Sequence, residues 1–295
     1  MVSKAEVSES NVILTERLSK VYCSFWGMPQ VRALNEVSFA VPSGSVFGLL
    51  GPNGSGKTTI IKLLLGLARP TGGRAVVLGK PAGDQKARAR IGYLPEESYL
   101  YSFLTGRGTL DFYGKLFGMS RQLRRQRTEE LLNTMGIDRR DRNRRVGSYS
   151  KGMARRIGLA QALINDPDLI ILDEPTTGLD PLGTVQMKKL IKQLQQQGKT
   201  VFLSSHLLAD VEDVCDRILI LYRGRVKMAG AVDELLSLKD VFELRARGVK
   251  QDLQDKLSVL VESSGAETIS AGAQRAKLEE LFKRVVSEEI TRKDN

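Results

Sequence analysis

Gly51-Pro52-Asn53-Gly54-Ser55-Gly56-Lys57-Thr58 decides the fold of this 295-residue chain. The octapeptide matches the pattern G-x-x-x-x-G-K-[ST] in full. Glycines let a loop wrap closely enough for successive backbone N–H groups to point at phosphate oxygens. Immediately before it, Val46-Phe47-Gly48-Leu49-Leu50 is a short apolar run that reads as a buried strand. After it, Thr59 to Leu67 has helix-like spacing through Ile60, Leu64 and Leu67. The positive end of that helix faces the same anion. Strand, glycine-rich loop and helix together form the setting of a nucleotide phosphate site. Gly51, Pro52, Asn53, Gly54, Ser55, Gly56, Lys57, Thr58 and Thr59 are therefore candidate nucleotide-binding residues. Lys57 is placed to reach the β- and γ-phosphates, and the Thr58 hydroxyl to ligate Mg2+.

A second constellation lies 116 residues beyond Lys57, where Asp173-Glu174 closes the apolar run Leu169-Ile170-Ile171-Leu172. A run of this kind reads as a parallel strand covered on both faces. A carboxylate at its end, beside the phosphate loop, would bind Mg2+ directly or through water. Its neighbour can polarise an attacking water. Asp173 is thus a candidate metal ligand and Glu174 a candidate catalytic base.

The rest of the chain fits an α/β plan. Val12-Ile13-Leu14 and Val37 to Val41 alternate as strands do, and Pro42-Ser43-Gly44 supplies a turn. Around residues 107–165 the pattern becomes helical, with Leu110, Tyr113, Leu116 and Phe117 on one face and Leu131, Leu132 and Met135 on another. Met187, Leu190, Ile191 and Leu194 mark a later helix closed by Gly198. Val201 to Leu203 and Ile218 to Leu221 read as further strands. The alternation predicts a mostly parallel sheet flanked by helices and interrupted by a helical insertion. Past residue 238 it predicts a strand at Val241–Leu244, a helix over Leu253–Val261 and a last helix carrying Leu278 to Ile290.

Three further motifs fall in order around these. Tyr149-Ser150-Lys151-Gly152-Met153 precedes Asp173. Thr177-Gly178-Leu179-Asp180 follows Glu174-Pro175-Thr176. His206, the only histidine, comes 32 residues after Glu174 at the end of a strand. With these the chain resembles the ABC ATPases over roughly residues 12–240. The resemblance implies a P-loop α/β fold with an N-terminal antiparallel β subdomain and an inserted α-helical subdomain over about 98–165. Residues 241–295 would form a small C-terminal α+β extension.

It also implies roles. Tyr149 to Met153 is similar to the family signature, and its Ser150, Lys151 and Gly152 would complete the nucleotide pocket of an opposite protomer. Asp180 belongs to the family's D-loop. His206 would contact the γ-phosphate and orient the water or Glu174, which makes Glu174, His206 and Lys57 the catalytic set. Tyr22 would stack on adenine, with Phe25 and Trp26 as rivals. Glu96, in Ile91-Gly92-Tyr93-Leu94-Pro95-Glu96, stands where the family usually has glutamine and would still ligate Mg2+. Pro95-Glu96-Glu97 resembles the exporter branch with permeases of the ABC-2 type.

The expected protein is therefore an ATPase that binds ATP and Mg2+, pairs with a second copy or a paralogous subunit, and drives a separate integral membrane permease, with export favoured. No apolar run approaches the ~18–20 residues that span a bilayer. Met1 to Asn11 is polar, without the apolar core of a signal peptide. The expected location is cytoplasmic, peripheral on the inner face of the cell membrane. Cys23 and Cys215 form no metal-ligand pattern.

Formal net charge is +11. Residues Arg121 to Arg156 carry eleven Arg and one Lys against four carboxylates, whereas charges from Leu238 onward cancel. An excess confined to one segment implies an anionic partner near it. Anionic lipid headgroups or an acidic permease loop, met by Arg139, Arg140, Arg142, Arg144 and Arg145, is the expectation. A soluble ATPase acting on nucleic acid or ribosomes is the rival. Against it stand a single ATPase unit, no heptads and no paired cysteines.

Overall fold

The computed structural model describes residues 11–23, 29–97, 99–237 and the single positions 256, 259, 260 and 263. Its first elements, β1 (Asn11–Cys23) and β2 (Pro29–Pro42), pair antiparallel, Thr15 opposite Phe39 and Leu18 opposite Val37. Strand β1 is far longer than the three apolar residues that announce it. Register shifts between Thr15 and Leu18 break the alternation, and Arg17 there has φ +46. A bulge of this kind adds a residue and hides a strand from a period-2 reading.

Strand β3 (Val46–Leu50) is buried throughout and feeds the phosphate loop into α1 (Lys57–Leu64). Strands β4 (Gly72–Val77) and β5 (Lys80–Pro81) complete the first sheet, in the order β2-β1-β4-β5, antiparallel at each pairing. After the short α2 (Gln85–Arg88), β6 (Ile91–Leu94) opens the second sheet. The insertion follows as α3 (Gly106–Leu116), α4 (Arg121–Thr134) and α5 (Lys151–Ala162). Each of the three begins on a hydroxyl cap: Thr105, Ser120 and Ser150 each accept a backbone N–H three residues on.

The α/β rhythm then resumes with β7 (Leu169–Asp173), α6 (Pro181–Gln196), β8 (Thr200–Ser205), α7 (Leu208–Val214), β9 (Arg217–Tyr222) and β10 (Arg225–Ala231). The second sheet runs β10-β9-β3-β8-β7-β6; its one antiparallel pair is β10 with β9. Phe39 from the first sheet stacks on Phe47 and Phe202 of the second at 5.8 and 6.1 Å, so one core joins them.

The mostly parallel sheet, the antiparallel N-terminal sheet and the helical insertion are as the sequence leads one to expect. The chain divides into a compact unit ending at Ala231 and a second, Val232–Asn295, in which α8 (Val232–Leu236) is described. Lys256, Val259, Leu260 and Ser263 are helical. The strand at Val241–Leu244 and the helix from Leu278 to Ile290 lie outside the described residues, as do Phe25 and Trp26.

Candidate active site

Strand order assembles the site. Strands β3, β8 and β7 are adjacent and parallel, so their carboxyl ends emerge side by side. Off those ends come the phosphate loop, His206 and Asp173-Glu174. Ligands of open α/β sheets bind at this edge.

The loop's last residue before α1 is Gly56, at φ +110, and a Cβ there would stand 2.7 Å from the Ala33 carbonyl oxygen. Only glycine fits both demands. The turn lets Lys57 fold back: its Nζ donates to the Gly51 carbonyl at 2.8 Å and lies 3.4 Å from Glu174 Oε1. Both side chains are almost fully buried, at 7% and 6% exposure. Two opposite charges are thereby held out of water, where removal of either strands the other.

Glu174 itself has φ +50, a strained backbone for a non-glycine residue. Several contacts hold it there. Its N–H donates to Ser204 O and Oγ at 3.2 Å, and Oε2 meets His206 Nδ1 at 2.8 Å and accepts from Thr177 Oγ1 at 3.3 Å. The Asp173 carboxylate accepts from Ser204 Oγ at 2.5 Å. Burial raises its pKa above the ordinary aspartate value, against the opposing hydrogen bond from Ser204. Tyr93, half-buried nearby, is pushed up to about 12, chiefly by burial and then by Asp173, and stays neutral.

These groups open on one cavity of about 430 Å3, lined by Pro52, Asn53, Gly54, Gly56, Lys57, Thr58, Thr59, Glu96, Asp173, Glu174 and His206 among others. Gly51 and Ser55 belong to the same loop and are buried. The residues fit a nucleotide phosphate with Mg2+: a glycine cradle and a buried ammonium share the cavity with the Thr58 hydroxyl and three carboxylates. Among the described residues no cluster of three His, Cys, Asp or Glu could hold a metal alone. Mg2+ commonly takes one or two carboxylates and completes its shell with phosphate and water.

Tyr22 does not line the cavity; its cross-strand partner Val31 does. Tyr22 is 38% exposed, with Lys20 Nζ 5.0 Å over its ring. Ser150, Lys151, Gly152 and Asp180 line a different cavity, of about 370 Å3. Ser150 and Asp180 each cap a helix there, and the Lys151 ammonium packs over Gly178. A single chain therefore keeps the two sets apart.

Sequence reasoning missed four contributors. Arg32 and Arg223 line the first cavity. Ser204 holds Asp173, and its place two residues before His206 was the available signal. Arg155, buried on α5, donates to carbonyls around the site; nothing in an arginine-rich helix distinguishes it.

The arginine segment itself is not one free cationic face. Arg142 is buried, with Glu129 at 2.9 Å, Asn133 Oδ1 at 2.7 Å and the Ile137 carbonyl at 3.0 Å. Arg144 pairs with Asp141 and Arg124 with Asp111, both at 2.5 Å. Of the five arginines expected to face an anionic partner, Arg139 and Arg145 are exposed without an ion-pair partner among the described residues. Several insertion arginines hold the insertion together instead.

A family model described as ABC transporter matches residues 34–177. An ABC transporter ATP-binding protein of Synechocystis is 46% identical over 250 residues, 84% of this chain and 71% of its own length. A Nod factor export ATP-binding protein of Burkholderia lata is 39% identical, over 72% of this chain and 71% of its own. Among solved structures, a dimeric ATP-binding cassette in a post-hydrolysis state with ADP and Pi superposes with a TM-score of 0.68 at 27% identity, covering 75% of this chain and 98% of its own. With a phosphate loop, paired carboxylates and a histidine gathered on one sheet edge, and with relatives of this closeness, the chain is an ATPase that uses ATP and Mg2+ and belongs to the ABC transporter ATP-binding proteins.

Proposed function

We propose that this ATPase is the motor subunit of a membrane exporter, working as a dimer closed around two Mg-ATP and driving a separate permease. The observation that carries the reading is the continuity between cavity and surface. Glu96 lines the cavity, and within seven residues the chain carries the exposed aromatics Tyr99, Tyr101 and Phe103 at 82%, 47% and 67% exposure. Tyr101 packs on Phe103 and edge-on to Phe112, each at 5.6 Å, so the patch is ordered. An exposed apolar patch of this kind suits a protein partner. The cytoplasmic loops of a permease are the partner proposed. Among the described residues no helix is long and apolar enough to cross a membrane.

In this reading Glu174 polarises the attacking water and His206 holds it toward the γ-phosphate. Lys57 and the loop amides bind the β- and γ-phosphates. Thr58, Asp173 and Glu96 would hold Mg2+, whose charge would offset that developing on the phosphate. Tyr22 packs at the adenine end, near Val31. Ser150, Lys151, Gly152 and Asp180 meet the nucleotide of the second subunit, a homologous or identical chain. Residues 12–240 form the motor, with about 98–165 transmitting its motion, and 241–295 a separate extension. The protein sits on the cytoplasmic face of the membrane and touches lipid only through its permease. The likeness to the Nod factor export protein supports export.

The test is Glu174→Gln, purified with Mg-ATP from gently solubilised membranes of its host. A polytopic membrane protein recovered in fixed ratio is the expected result. Recovery from the soluble fraction alone, with RNA or ribosomal proteins, would replace this reading with the nucleic-acid one.

A further inference from the structure

Arg155 is 5% exposed, and among the described residues its guanidinium donates to five backbone carbonyls. Nη1 donates to Pro95 O at 2.5 Å and Glu96 O at 2.7 Å. Nη2 donates to Asp173 O and Glu174 O, both at 2.7 Å, and Nε to Pro175 O at 3.3 Å. Two separate loops are thus held by one side chain: the one after β6 that carries Glu96, and the one after β7 that carries Asp173 and Glu174.

The second of these clusters is unusual for a strand end. In extended chain, successive carbonyls point to opposite sides, so three consecutive ones reach a single guanidinium only where the chain turns. Glu174, at φ +50, makes that turn. The strained residue and the cation that gathers its neighbouring carbonyls therefore belong to one arrangement. The helix bearing Arg155 is itself seated on β6, because at Gly92 any Cβ would run into the Ala162 carbonyl of α5. A planar fork with five fixed donors suits this task; an ammonium does not.

We infer that Arg155 is a positioning residue for ATP hydrolysis, keeping the Glu96 loop and the Asp173–Glu174 turn in register so that their carboxylates face the cavity at fixed spacing. It acts through the backbone of those residues, and the inference rests on the roles proposed for them above. Because α5 carries the guanidinium, the two acidic loops are tied to the helical insertion as well as to each other.

Arg155→Gln and Arg155→Lys, in the full chain, test it through ATP affinity without Mg2+, kcat, and the Mg2+ concentration that gives half-maximal rate. The expected result is ATP affinity within about threefold of native. With it go a kcat lower by about tenfold or more and a Mg2+ requirement raised several-fold, as for other residues that orient ligands from behind. Lysine should rescue no better than glutamine. A kcat and Mg2+ requirement within twofold of native would overturn the inference, as would rescue by lysine. Should neither variant fold, hydrogen exchange on the native chain decides: the Glu96 loop and the Asp173–Thr177 turn should gain protection together on adding Mg-ATP, and protection of one alone overturns it. A native chain that fails to hydrolyse Mg-ATP would sink the roles assigned to Glu96, Asp173 and Glu174. Native hydrolysis indifferent to Arg155 sinks this inference alone.

Discussion

Lys57 and Glu174 face each other at 3.4 Å with side chains 7% and 6% exposed, while in the insertion Arg140 lies 3.7 Å from Asp138 with 83% and 69% exposed. The first pair is cut off from water, so each charge depends on the other and on the groups around it. The second pair is bathed in solvent, where such contacts contribute little. Arg142 shows that the insertion also has an interior, since it is buried against Glu129, Asn133 and a carbonyl. Charge in the cavity is arranged for chemistry at the expense of backbone strain at Glu174. In the insertion it ties α3 to α4 through Arg107–Glu129 and Arg124–Asp111 and fixes the loop after α4 through Arg142 and Arg144.

Five substitutions sharpen that contrast. His206→Ala should have the largest effect: it removes the partner 2.8 Å from Glu174 Oε2, and kcat should fall by about 100-fold or more, as for other groups that orient a reacting water. Steady-state ATPase rates check it; a fall under threefold would detach His206 from the chemistry. Gly56→Ala comes next, because φ +110 and the Ala33 carbonyl both oppose a Cβ. Strain of about 1–3 kcal/mol should weaken ATP binding by roughly 10- to 100-fold. Calorimetric titration measures that directly.

In the insertion, Arg142→Ala should cost about 2–3 kcal/mol of stability by leaving the Ile137 carbonyl without its buried donor and by removing the packed side chain itself. Arg139→Ala should stay within about 0.5 kcal/mol. Equal effects in urea melts would erase the distinction between the segment's interior and its surface.

The smallest effect concerns Asp173. Its folded pKa is raised, mainly by burial. The contribution of this group to stability is therefore full below the unfolded aspartate value and lost as pH rises through the folded value. Asp173→Asn keeps an acceptor for Ser204 and removes that dependence. Without nucleotide, the variant should melt at or above the native temperature near pH 7, with the advantage shrinking as pH falls through the carboxylate range. A lower melting point at pH 7 would contradict the sign.

The phosphate loop was legible because its glycines answer a local backbone demand that no other residue meets. The order of motifs then carried Asp173, Glu174 and His206, since β7 and β8, the parallel strands that end at them, lie beside β3 and its loop. What sequence hid was non-local. The bulge at Arg17 concealed the length of β1, and α1 begins at Lys57, two residues early, because Gly56 in the left-handed region already closes the loop. Arg142 and Arg155 look like any surface arginine until the chain folds carbonyls around them. Tyr22 stood for adenine stacking by position alone, yet Val31 across the ladder is what reaches the cavity.

The most direct test of the central claim compares the native chain with Glu174→Gln in single-turnover hydrolysis of Mg-ATP, alongside ATP binding. Binding should stay within about threefold of native and the hydrolysis rate should fall by about 100-fold or more, because the buried carboxylate between Lys57 and His206 is lost while the phosphate loop is intact. Hydrolysis within a few-fold of native would contradict it and move the chemistry away from Glu174.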